Sequence, residues 1–129
     1  MVKTCAALSV VAPAGDRIRS GLKTLEIRSW RPNTLPLRDL LIVQNNVRLS
    51  RQGVTEDPRG RVVALVDIES VADWREDDLA ASCAKYWEPG WLAWRITNLR
   101  PVHYPEDVPA RLRIYDLSLD EPRLVESVR

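Results

Sequence analysis

From Arg61 to Glu69 the chain reads Arg-Val-Val-Ala-Leu-Val-Asp-Ile-Glu, with neither glycine nor proline to interrupt it. Val62, Ala64, Val66 and Ile68 fall on one face of an extended chain, and Val63, Leu65, Asp67 and Glu69 on the other. The second face turns polar toward the strand's end. β-Branched residues at this density favour a strand, and this is the strongest one in the sequence. The fold must therefore be built on sheet.

The remaining segments extend that reading. Cys5 to Val11 is a short apolar run, read as a strand. Pro13 suits the first turn of a helix through Arg19, and Gly21 is its natural stop. Residues 23–30 alternate as a strand, and Arg31 to Pro36 is a loop with two prolines. Leu40 to Val43 reads as a central strand. Residues 44–60 are polar and end in Asp57-Pro58-Arg59-Gly60, a turn signature. Residues 76–86 suit a helix capped by Asp77 or Asp78, with Leu79, Cys83 and Tyr86 on one stripe. Trp91 to Thr97 is a strand, Asn98 to Pro109 a proline-interrupted connection, and Arg111 to Leu117 a last strand. The tail from Asp120 has weak helical tendency. About six short strands spaced by turns, with two helices, predict an α+β fold that is mainly β: a small barrel with helices outside it. A cleft where helix meets barrel is a usual ligand site.

Composition bounds the function. The chain has 129 residues, the size of one domain, with 45% hydrophobic and 29% charged residues. No apolar run approaches the ~20 residues of a membrane span, and the first residues lack a secretory apolar stretch. The expectation is a soluble, cytoplasmic protein. Cys5 and Cys83 form no metal or redox spacing. His103 is the lone histidine, which excludes sites built on two histidines, and as a loop residue it has no visible catalytic partner. Asp67 and Glu69 share a face and could hold a divalent metal, but no third ligand is evident, and a solvated strand end is the favoured reading. Trp91 and Trp94 have opposite parity, so at least one faces the core.

Charge is uneven. Residues 17–31 carry Arg17, Arg19, Lys23, Arg28 and Arg31 against Glu26, whereas residues 67–78 carry six acids against Arg75, in a chain of net charge +1. A basic patch attracts phosphates locally. With 16 arginines and 3 lysines, Lys23 stands out, because a lysine can change its protonation on burial where arginine does not. Alternation places Thr24, Glu26, Arg28 and Trp30 on one face of strand 23–30. Lys23 can bind phosphate or act as a base. Arg28 can fork two bonds to a phosphate or base edge, ordered by Glu26. Trp30 either stacks a base or covers the core.

The pattern Gly21-x-Lys23-x-x-Glu26-x-Arg28 resembles the GxKxxExR signature of ASCH domains, in the PUA-like superfamily. Arg28-Ser29-Trp30 is similar to the ASCH domains of eukaryotic transcription coactivators. Leu8 to Pro13, Leu40 to Val43, Gly60 to Asp67, Trp94 to Pro101 and Val108 to Leu117 look like the family's strands in order, so the resemblance covers about residues 5–118 and leaves 119–129 as a tail. It implies one PUA-like barrel domain over residues 1–129 that binds RNA, single-stranded nucleic acid or a nucleotide through Lys23, Arg28 and Trp30, with Arg17 and Arg31 nearby. The sequence departs in two places. Ala12-Pro13-Ala14-Gly15 stands where many relatives have Gln-Pro-Trp-Ala. Small members that hydrolyse N4-acetylcytidine carry threonine where this chain has Glu26, plus a separate acid for which Asp73, Glu76, Asp77 and Asp78 are candidates. A hydrolase of RNA or of a modified nucleoside, with Lys23 and Glu26 catalytic, therefore remains the alternative. It needs no cofactor, although a nuclease would admit a divalent metal. A further alternative is a non-catalytic protein-interaction module.

Overall fold

A computed structural model of the chain describes residues 1–120 and 124–126. In order, the elements are β1 (Val2–Val11), α1 (Ala14–Arg19), β2 (Leu25–Arg28), β3 (Leu37–Asn45), β4 (Glu56–Asp73), a 3-10 turn (Glu76–Asp78) running into α2 (Leu79–Ser82), β5 (Leu92–His103), β6 (Val108–Arg111), β7 (Ile114–Asp120) and β8 (Val125–Glu126). The strands form one mainly antiparallel sheet in the order β2-β5-β4-β3-β1-β7, with β6 on β4 and β8 on β5. Among the described strands only β1 and β3 run parallel, Ala6 opposite Leu40 through Val11 opposite Asn45. The excursion between them carries α1 and β2.

The expected small barrel of about six strands is corrected here: there are eight described strands and the sheet stays open, because β2 and β7 end the path without pairing with each other. Asp57 to Gly60 is not a turn but part of β4. Asp57 pairs with Ala110 and Gly60 with Val108, with a bulge between them that admits Pro58. A side chain at Gly60 would lie 2.6 Å from both the Val108 carbonyl and Val43, so the close approach of β6 requires glycine there. Residues 98–103 continue β5, with Asn98 at positive φ where the register shifts. The expected helix over 76–86 ends at Ser82. There Cys83 turns left-handed and the Ser82 hydroxyl donates back to the Leu79 carbonyl, a side-chain bond that competes with helix continuation. In the tail, Val125–Glu126 pairs with β5 as strand rather than helix; residues 121–123 and 127–129 lie outside the described residues.

Two apolar clusters cover the sheet. One gathers Ala7, Leu41, Val43, Val62 and Leu65; the other Leu8, Val10, Ile18, Leu40, Ile42, Val63, Ala64, Val66, Ile68 and Trp94. Strict alternation would put Val62 with Ala64. It fails because the register slips between Ile42 opposite Ala64 and Val43 opposite Val62, so that Val63 is the extra residue. Trp94 is fully buried in the second cluster, and Trp30 packs on its rim. That cluster is the base on which the motif is mounted.

Candidate functional site

Gly21, at φ +82°, ends α1 and turns the chain so that the Lys23 amide donates to the Arg17 carbonyl. Thr24 is then tied on both sides. Its amide donates to Ala81 and its carbonyl accepts from Ile96. β2 begins only at Leu25, so alternation does not reach back to Lys23. The buried members are Lys23 and Glu26, while Thr24, expected on the same face as Glu26, is exposed.

The motif side chains form a chain of charges. Lys23 Nζ donates to the Ser82 carbonyl at 2.7 Å and lies 3.5 Å from Glu26 Oε1. Arg28 Nε donates to Glu26 Oε2 at 2.8 Å, and its guanidinium donates again to the Ser9 carbonyl at 2.9 Å. Lys23 and Glu26 are each 7% exposed, so this is a largely desolvated cation–carboxylate–cation unit with a net positive charge. Arg28 thereby ties β2 to β1.

Two cavities meet at this unit. The larger, about 420 Å³, is lined by Lys23, Glu26 and Arg28 together with Trp30, Asn45, Arg48, Trp91, Arg111 and Arg113. The smaller, about 390 Å³, shares Lys23, Glu26, Ile27 and Trp91 with it and adds Trp74, Tyr86 and Glu88 among others. Both are of ligand-binding size. The cations outnumber the single carboxylate in the larger cleft, which favours anions there.

The expected site residues divide. Lys23, Glu26, Arg28 and Trp30 come together on the larger cleft. Arg17 and Arg31 are exposed and line neither cavity. Asp73, Glu76 and Asp77 are exposed, Asp78 is half-buried, and none of the four lines either cavity. The carboxylate from that stretch of chain that does is Glu88. Trp30 meets the Trp94 ring edge-on, with centroids 4.8 Å apart, and the Arg113 guanidinium lies 4.1 Å from its centroid. Of the two roles foreseen for Trp30, the structure shows the packing one. It packs on the core, and the ring has an arginine on it. Arg48, Arg111 and Arg113 were missed, since nothing in the separate local sequences relates them to residue 23. At least one of Trp91 and Trp94 was expected inward, and Trp94 is core, while Trp91, just ahead of β5 and 39% exposed, lines both cavities.

Asp67 and Glu69 are engaged by donors of the protein itself. Asp67 is buried and takes four donors: the Asp39 amide, Asn98, Arg38 and Arg100. Burial alone would raise its pKa, but these hydrogen bonds and the Arg100 charge outweigh it and hold the carboxyl below the usual range. Among the described residues no three His, Cys, Asp or Glu side chains group closely enough to hold a metal. His103 is exposed and pairs with the strand at Val125.

The ASCH domain family model matches residues 8–106, most of the chain and all of the motif. The chain belongs to the ASCH family. Among solved structures, it is similar to the ASCH protein from Zymomonas mobilis, at 18% identity over 84% of this chain and 87% of that one, with a TM-score of 0.49. Two single-substitution variants of that protein match at 17% identity over 84% of this chain, covering 89% and 87% of theirs, with TM-scores of 0.45 and 0.44. No curated protein matches the chain. Among the described residues, no helix is long and apolar enough to cross a membrane.

Proposed function

We propose that this ASCH domain, residues 1–129 with a core at about 5–118, binds single-stranded RNA or a nucleotide in the larger cleft. Lys23 and Arg28 hold phosphate or a base edge and Glu26 keeps both cations in place. The observation that carries this reading is the mounting of the Lys23–Glu26–Arg28 unit at a cleft whose lining adds Arg48, Arg111 and Arg113. Trp30 contributes through Arg113, whose guanidinium plane offers a base a stacking surface. Arg17 and Arg31 act at a distance, steering the polyanion. The reading places the protein in the cytoplasm. Titration with single-stranded RNA at two salt concentrations tests it. We expect binding that weakens with salt, and Lys23→Ala with Arg28→Ala should lower affinity at least tenfold in a variant shown to be folded by circular dichroism. No binding at low salt would sink the reading.

A hydrolase reading is supported by one further feature: Lys23 and Glu26 line both cavities, and Glu88 brings a second carboxylate to the smaller one. One carboxylate could position Lys23 while the other takes a proton from water. Incubation with N4-acetylcytidine and with RNA, with and without a divalent metal, separates the two. Turnover abolished by Lys23→Ala and by Glu88→Gln supports hydrolysis.

A further inference from the structure

Among the described residues, two buried side-chain polar atoms lack a hydrogen-bond partner: Asn45 Oδ1 and Trp74 Nε1. Buried polar atoms are nearly always satisfied, so each calls for an explanation. Asn45, 2% exposed, lines the larger cleft, and Trp74, 7% exposed, lines the smaller. One orphan is an acceptor and the other a donor, and each cavity wall contains one of them. The Asn45 amide is not simply reversed, because its nitrogen already donates to the Val47 carbonyl and to Asp57.

The two cavities also differ in chemistry. The larger collects arginines. The smaller is walled by Trp74, Trp91 and Tyr86, and Tyr86 is 69% exposed. A large aromatic surface left open beside a buried lysine offers a stacking face to a planar ring. Lys23, Glu26, Ile27 and Trp91 form the partition that both cavities share.

We infer that the two cavities are one composite site for a short run of single-stranded RNA, with the sugar-phosphate backbone in the arginine cleft and one everted base in the Tyr86–Trp91 chamber across the Lys23–Glu26 partition. This rests on the RNA-binding reading and adds to it the ligand's shape: a strand with a base turned out, not a free nucleoside. Both orphan atoms are closed to solvent in the unbound protein, so seating the strand must part the walls enough to bring a base carbonyl to Trp74 Nε1 and a ribose hydroxyl to Asn45 Oδ1.

The test scans an abasic ribose through a hexauridylate and measures affinity at low salt. In the native protein one position should stand out, its abasic form binding about tenfold more weakly, the expected scale for losing one stacked base. In Tyr86→Ala, whose exposed side chain can be removed without loss of fold, and in Trp91→Leu, that same position should lose its penalty. Arg48→Ala should weaken every hexamer alike and keep the penalty. Free uridine should bind far more weakly than the hexamer. The inference is overturned if no position carries a penalty, if the penalty persists in both aromatic variants, or if uridine binds as tightly as the hexamer. Failure of the intact hexamer to bind at all would overturn the RNA-binding reading and this inference together. Binding with no positional penalty overturns this inference alone.

Discussion

Two buried carboxylates in this protein are each gripped by a pair of cations, and they are built differently. Asp67 has Arg38 and Arg100, and it also takes the Asp39 amide and the Asn98 side chain. Glu26 has Lys23 and Arg28 and, among the described residues, no other donor; one of its two contacts is the longer 3.5 Å approach of Lys23. A carboxylate has about four acceptor positions. At Asp67 they are filled from within the protein. At Glu26 half are left, and it lies where two cavities meet. Saturated, such a unit is a clamp between strands. Unsaturated and lining a cleft, it is the place where we propose the ligand binds.

That contrast can be broken in order of effect. Asp67→Ala should cost the most stability, about 3 kcal/mol by urea unfolding. This is the low end of the range for breaking a buried pair, because Arg38 is half exposed. RNA affinity measured on the folded fraction should not change. Equal damage to binding would mean the two units are coupled. Glu26→Gln keeps the shape and removes the charge, so it should cost less, about 1–2 kcal/mol, and should weaken RNA binding several-fold by releasing Lys23 and Arg28. A gain in affinity would show that Glu26 only neutralises the cleft.

The third prediction concerns pH. The Asp67 pKa is lowered in the folded state, so its stabilisation is complete above the unfolded carboxyl value near 3.9 and is lost as pH falls from there through the folded value. Asp67→Asn should flatten the decline of melting temperature below about pH 4 and leave the neutral-to-basic limb alone. An unchanged acid limb would deny Asp67 its role. The smallest effect belongs to the rim. Arg48→Ala should stay within about 0.5 kcal/mol of native stability. It should still reduce the salt slope of binding by about 0.7, the loss of one phosphate contact to a single strand.

Most of the strands were legible, and so was the motif. Leu40–Val43 and Arg61–Glu69 lie inside the observed β3 and β4, because long apolar runs have no other way to be buried. What failed was local signal overridden from a distance. Pro58 and Gly60 read as a turn, yet the pairing of β6 draws them into β4 as a bulge. Asn98 and Pro101 read as a break, yet β4 holds them in β5. At the site, Lys23, Glu26 and Arg28 were readable as a spacing. Glu88, Arg48, Arg111 and Arg113 were not, since only tertiary structure brings Glu88 to the smaller cavity and the three arginines to the larger.

The placement of β2 has a consequence for how the site comes into being. Its backbone partner is β5, Leu25 opposite Arg95, with all of β3 and β4 lying between them in the chain. The eight-residue motif is contiguous in sequence, but the strand that seats it arrives much later. Contacts of such high sequence separation form slowly and late. An N-terminal fragment ending before Leu92 would therefore hold the complete signature and most of the residues that line the two cavities, but not the strand that seats them, so for this protein the motif marks the candidate site without being sufficient to make it.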